Sequence, residues 1–142
     1  MTGGDGPRVA VAVPRRPPMT ELLLSLTAVP TAGGVARAAL RERFAGALRR
    51  PTFADLELVV SELVTNAVDH GRGPIRLEVT QTTHEVRGSV ADRGDGFAYQ
   101  LRQLGGDEDR GRGLAIVDVL ATSWGIRRGS TQVWFAISLR GR

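Results

Sequence analysis

The chain of 142 residues contains no cysteine and no lysine. Without cysteine it can form no disulfide framework and no thiolate nucleophile, and a cytoplasmic location is the default expectation. No apolar run approaches the roughly 20 residues that a membrane-spanning helix needs, so we expect no membrane insertion. Aromatic residues make up only 5% of the chain, which leaves little material for the base-stacking surface of a nucleic-acid-binding protein.

The positive charge is carried by arginine alone. The formal net charge is +4, and all 19 basic residues are arginines. They are scattered along the chain instead of forming a basic stripe, which indicates a GC-rich coding bias more than a phosphate-binding face. We therefore expect no direct nucleic-acid partner, and DNA binding remains the minority alternative.

The composition changes after the first residues. Residues 1–19 are rich in glycine, proline and arginine and show no periodicity, which predicts a disordered leader. Residues 20–142 are predicted to form one domain, because the 42% hydrophobic content of the chain supplies one core.

Hydrophobic periodicity predicts the order strand, helix, helix, strand, strand, helix, strand, strand. The predicted ranges are 21–28, 35–48, 58–71, 75–80, 86–91, 114–121, 123–127 and 132–139. Pro51 is expected to end the first helix, with Thr52 and Asp55 as a capping box for the second. This order predicts an α+β fold with a mixed, mostly antiparallel sheet that is covered on one face by helices.

Residues 58–71 read LVVSELVTNAVDHG, in which polar pairs alternate with apolar pairs. The repeat near four residues predicts an amphipathic helix, and an ordinary surface helix is its simplest interpretation. Glu62 and Asn66 stand at i and i+4, one above the other on such a helix. The amide oxygen of Asn66 suits Mg²⁺, and Glu62 could act as a general base toward a hydroxyl or a water.

A first glycine segment, DRGDG, directly follows a predicted strand. Asp92 at the strand end could accept a hydrogen bond from the exocyclic amine of an adenine. Gly94 and Gly96 would let a flat ligand approach the backbone closely. A tight turn is the competing interpretation, because Asp-Gly pairs are common in turns.

A second glycine segment, GRGL, is predicted to open a helix. Gly111 and Gly113 would then lie ahead of the helix N-terminus, where free backbone N–H groups and the helix dipole attract an anion. Arg110 and Arg112 would add charged donors for phosphate. The spacing fits neither the Rossmann nor the Walker pattern.

Taken in order, ELVTNAVDHG, DRGDG and GRGL resemble the N, G1 and G2 boxes of the GHKL ATPases. The chain most resembles the anti-sigma-factor serine/threonine kinases of the RsbW and SpoIIAB type, and their single-domain actinobacterial relatives. The resemblance extends over roughly residues 22–139. It implies a Bergerat fold, a two-layer α/β sandwich that binds ATP and Mg²⁺ under a lid at residues 97–109.

The same resemblance implies a role for individual residues. Glu62 corresponds to the catalytic base, Asn66 to the Mg²⁺ ligand, and Asp92 to the aspartate that recognises adenine. Thr131 would stand behind the adenine pocket, although the closing turn lacks the lysine that many relatives carry. The residues expected to contact the nucleotide are Asn66, Asp92, Gly94, Gly96, Arg110, Gly111, Arg112, Gly113, Leu114 and Thr131.

The function implied by the resemblance is that of a kinase. It would phosphorylate a STAS-domain anti-sigma antagonist and also bind a sigma factor, with a homodimer as a further possibility. The alternative is a regulatory module that binds a partner in a nucleotide-dependent manner without phosphotransfer. A histidine-kinase fragment is disfavoured, because the chain leaves no room for a phospho-acceptor helical domain.

Overall fold

The computed structural model describes residues 19–94, 108–127 and 129–140, with only the backbone given for 108–113. The described elements run in the predicted order. Their bounds are β1 (Thr20–Leu26), α1 (Ala32–Phe44), α2 (Arg50–His70), β2 (Ile75–Gln81), β3 (Glu85–Ala91), α3 (Glu108–Leu120), β4 (Ser123–Ile126) and β5 (Val133–Ser138).

The strands form one sheet in the order β1-β2-β3-β5-β4. Every pairing in the described part of the sheet is antiparallel, so the expected α+β class is confirmed and the expected mixture of directions is not. All connections between neighbouring strands therefore reverse the chain. At the turn between β4 and β5, Gly129 adopts a φ of 73°, a left-handed conformation that glycine adopts without steric cost.

The core lies between the helices and the inner face of the sheet. In β2 the buried positions alternate with exposed or half-buried ones, as expected for a strand with one covered face. In α2 the buried residues recur at helical spacing and form one stripe. The largest fully buried side chains include Phe44, Phe135, Leu40, Leu56, Leu63, Ile75, Leu77 and Ile137.

The start of α2 differs from the prediction. The helix begins at Arg50 with Arg49 as its N-cap, and no side chain caps it. Pro51 therefore lies in the first turn of α2, where its missing N–H costs nothing, and does not end α1. Thr52 lies inside the first turn and is not the N-cap, so the predicted capping box with Asp55 is wrong.

The structure bears on the predicted leader only at Met19. Residues 1–18 lie outside the described residues, so the leader remains a prediction. Met19 already joins the sheet, because its N–H donates to the carbonyl oxygen of Gln81 at 2.8 Å. None of the helices in the described part of the chain is long and apolar enough to cross a membrane.

Gly88 in β3 makes room for a buried aromatic ring. It pairs with Phe135 of β5 across the inner face of the sheet. A Cβ atom on Gly88 would lie 2.5 Å from Cζ of Phe135 and 2.9 Å from the carbonyl oxygen of Glu78. Phe135 is fully buried, so its ring has nowhere to move.

We expect Gly88→Ala to destabilise the fold by about 1–3 kcal/mol, the usual cost of overpacking a core. Gly46→Ala is the matched control, because a Cβ atom there would have nothing within 4 Å. Urea denaturation of both variants measures the two free energies of unfolding. Equal stabilities would contradict the close packing of Phe135 on Gly88.

Candidate nucleotide-binding site

The buried stripe of α2 determines which side chains of this helix are available to a ligand. Leu63 and Ala67 face the core, whereas Glu62 and Asn66 are half-buried at the margin of the stripe. Neither of these two side chains makes a hydrogen bond or ion pair with another residue that the structure describes. A carboxylate and a carboxamide therefore stand one helical turn apart, both free for a ligand.

The opposite margin of the stripe connects α2 to α1. Arg37 of α1 donates from Nη1 to Oγ of Ser61 at 2.8 Å. Ser61 and Glu62 are neighbours in sequence but lie on different sides of the helix, since successive helical residues are about 100° apart. The contact of Arg37 was not predicted, because no local pattern pairs a residue of α1 with this serine.

Asp92 lies immediately after β3, as predicted. The register between β3 and β5 pairs Val90 with Val133, so its continuation brings Asp92 opposite Thr131. The hydroxyl of Thr131 accepts the backbone N–H of Asp92 at 3.1 Å and donates to its carbonyl oxygen at 3.1 Å. Thr131 is 6% exposed, so this double contact holds the main chain of Asp92 in a buried setting.

The two carboxylate oxygens of Asp92 have different surroundings. Oδ1 accepts the backbone N–H of Gly94 at 2.6 Å, which is the side-chain-to-backbone contact of an Asp turn. Oδ2 is buried and accepts no hydrogen bond from the described residues. A buried carboxylate oxygen without a donor is costly, and the exocyclic amine of adenine is a suitable donor. The turn and the adenine interpretations are therefore compatible, each using one oxygen.

Of the two glycines in the DRGDG segment, the structure describes only Gly94. Gly94 lies close to the side chains of Asp92 and Thr131, because a Cβ atom there would be 2.9 Å from Oδ1 of Asp92 and 3.2 Å from Cγ2 of Thr131. Gly96 lies outside the described residues, as do most residues of the predicted lid at 97–109.

The second glycine segment is not arranged as predicted. Helix α3 begins at Glu108 and not at Leu114, so Arg110, Gly111, Arg112 and Gly113 lie within its first turns. Acidic residues are favourable in the first turn of a helix, and Glu108 with Asp109 gives the helix an earlier start. The side chains of the two arginines are outside the description, and their contact with phosphate remains a prediction. Leu114 is half-buried and packs against the core.

Residues that could hold Mg²⁺ are sparse. Among the described residues, no group of three or more histidine, aspartate or glutamate side chains converges on a point. The amide oxygen of Asn66 alone cannot complete a coordination sphere, and Mg²⁺ usually keeps waters and phosphate oxygens as ligands. Asn66 therefore fits an ion that is brought with a nucleotide and shared with its phosphates.

A cavity of about 580 Å³ touches Asp92 from the side of β1 and β2. It is also lined by Leu23, Pro74, Arg76 and Arg93. It includes no residue of α2, and so it is separate from the surface that Glu62 and Asn66 share. We do not assign the nucleotide to this cavity.

The geometry agrees with a comparison against known protein families. Residues 22–137 match the family described as histidine kinase-like ATPase domain, a range that contains every described helix and all or most of each strand. Domains of this GHKL type bind ATP, usually with Mg²⁺. An α+β fold, an aspartate at a strand end and a Glu–Asn pair on the central helix are the features that the resemblance to this family implied from the sequence. The chain belongs to the histidine kinase-like ATPase domain family.

Proposed function

We propose that the protein is an ATP-dependent serine/threonine kinase and anti-sigma factor, which phosphorylates a STAS-domain antagonist and binds a sigma factor. The observation that carries the nucleotide part of this proposal is the buried Oδ2 of Asp92, which lacks a donor among the described residues. The sequence resemblance to anti-sigma-factor kinases supports the choice of protein substrate.

In this proposal each residue has one task. Asp92 accepts the exocyclic amine of adenine, and Thr131 keeps its main chain in place. Asn66 would hold Mg²⁺, and the ion would neutralise charge on the phosphates of ATP. Glu62 accepts the proton of the substrate serine hydroxyl as phosphoryl transfer proceeds. Both α2 side chains are half-buried and therefore reachable by a protein substrate.

The alternative function is a nucleotide-dependent partner-binding module without phosphotransfer. The closing turn favours it, because Ser130 and Thr131 follow Gly129 without the lysine that many relatives have there. The turn is nevertheless well formed, with the N–H of Arg127 donating to the carbonyl oxygen of Gln132 at 2.8 Å. The two functions share one nucleotide-binding site and differ only in the use of Glu62.

We expect the protein to bind ATP in the presence of Mg²⁺, and Asp92→Asn to weaken binding at least about tenfold, since one acceptor for the adenine amine becomes a donor or is lost. Isothermal titration calorimetry with ATP and with GTP measures this. GTP lacks the exocyclic amine at the corresponding position, so it should bind weakly to the wild type. ATP binding that is undiminished in Asp92→Asn would refute the assignment of Asp92.

We expect Glu62→Gln to reduce phosphate transfer from ATP to a purified STAS-domain protein by about 10²–10⁴-fold, the range for loss of a general base. ATP affinity should stay within about twofold of wild type, because the substitution preserves shape. Glu57→Gln on the same helix is the control, since Glu57 lies outside the proposed site and its carboxylate pairs with Arg41 at 3.0 Å. Transfer unaffected by Glu62→Gln, or ATP binding without transfer to any STAS-domain protein tested, would favour the module.

Self-association through the first strand belongs to the same proposal. Leu23 of the edge strand β1 is 62% exposed and is therefore available to a second copy of the chain. If a second copy covers it, sedimentation equilibrium should give a dimer for the wild type and a shift toward monomer for Leu23→Glu. A monomeric wild type at micromolar concentration would remove self-association from the proposal.

A further inference from the structure

Gly71 ends α2, but its backbone does not explain why the residue is glycine. Its φ is −104° and its ψ is −160°, an extended conformation that other residues also adopt. Its N–H donates to the carbonyl oxygen of Ala67 at 2.9 Å and closes the last helical turn, which any residue except proline can do. The usual reason for a glycine after a helix, a left-handed conformation, therefore does not apply here.

The neighbouring carboxylate supplies a different reason. A Cβ atom on Gly71 would lie 1.9 Å from Oδ2 and 2.4 Å from Cγ of Asp92. Carbon and oxygen atoms that are not bonded stay more than 3 Å apart, so the carboxylate and a methyl group cannot share this space. The end of α2 thus forms one wall of the space that holds the side chain of Asp92.

The two carboxylate oxygens of Asp92 are held in place in different ways. Oδ1 is held by the N–H of Gly94 at 2.6 Å. Oδ2 has no such donor among the described residues, and its position depends on the space left beside Gly71. Moving Oδ2 away requires a rotation of the side chain, which would also take Oδ1 from Gly94.

We propose that Gly71 is a positioning residue for nucleotide recognition, which acts by leaving the space that the Asp92 carboxylate needs in order to face adenine. This inference rests on the proposed function, in which Asp92 binds the adenine of ATP. A methyl group on Gly71 would make the carboxylate rotate, because the end of a side chain yields more easily than the backbone of a helix and a strand. The expected defect is therefore a loss of ligand recognition with the fold retained.

The geometry can be tested without any ligand. In the ¹H–¹⁵N NMR spectrum of the ligand-free protein, Gly71→Ala should displace the Gly94 amide resonance in the same direction as Asp92→Ala does, since both remove its acceptor. Gly46→Ala, which adds a methyl group with nothing within 4 Å, should leave this resonance in place. A Gly94 resonance that is unchanged in Gly71→Ala would overturn the inference.

A double-mutant cycle tests whether the effect of Gly71 passes through Asp92. The methyl group should lower the midpoint of thermal unfolding less in an Asp92→Ala background than in the wild type, because the colliding carboxylate is gone. The carbonyl oxygen of Ala67, at 2.9 Å from the added Cβ atom, is the competing cause. An equal loss in both backgrounds, or a double variant that fails to fold, would assign the effect to that carbonyl and overturn the inference.

The functional consequence is measured with ATP and Mg²⁺ in the same calorimetric titration. Gly71→Ala should weaken ATP binding at least about tenfold, and Gly46→Ala should bind as the wild type does. Wild-type affinity in Gly71→Ala would overturn the inference. If the wild type binds no ATP, the proposed function fails, whereas the NMR and stability measurements still decide whether Gly71 controls the carboxylate.

Discussion

The packing of α2 against the inner face of the sheet is the constraint on which the candidate site depends. Leu56, Val60, Leu63 and Val64 are fully or almost fully buried, and burying each such side chain contributes about 1.5–3 kcal/mol. This stripe fixes the rotation of the helix about its axis. With this rotation, Glu62 and Asn66 lie at the margin of the buried stripe, where each side chain remains partly exposed. Core packing therefore determines which polar side chains of α2 a ligand can reach.

The same packing brings the end of α2 to the end of β3. The N–H of Arg93 donates to the carbonyl oxygen of Arg72 at 2.7 Å, so the segments that leave the helix and the strand are joined directly. Asp92 is enclosed at this junction by Thr131, which lies two residues before β5, and by Gly71, the C-cap of α2. A carboxylate with one satisfied and one buried, unsatisfied oxygen is a local cost to stability, and a ligand donor would remove this cost.

Much of the fold could be predicted from the sequence, because the signals are local. Alternation predicted β2 and β3 within one residue at either end, and the four-residue repeat predicted the second half of α2. The failures occurred where a local signal has two meanings. Pro51 is compatible with the end of one helix or the first turn of the next, and the structure shows the second, because α1 ends at Phe44 and α2 begins at Arg50. The glycines of GRGL suggested a helix start, although α3 begins at Glu108 and runs across them.

The candidate site could be predicted only as far as its residues belong to short motifs. Asp92 and Asn66 stand in recognisable segments, whereas the contact between Thr131 and Asp92 spans 39 positions and depends on strand register. Gly71 is the most instructive residue, because the usual reason for a glycine after a helix, a left-handed conformation, does not apply to it. Its backbone is extended, and its closest neighbour in space is the carboxylate of Asp92, which would collide with a side chain there. A glycine beside a motif can therefore report on a carboxylate far along the chain, and this dependence is invisible until both ends of the contact are in place.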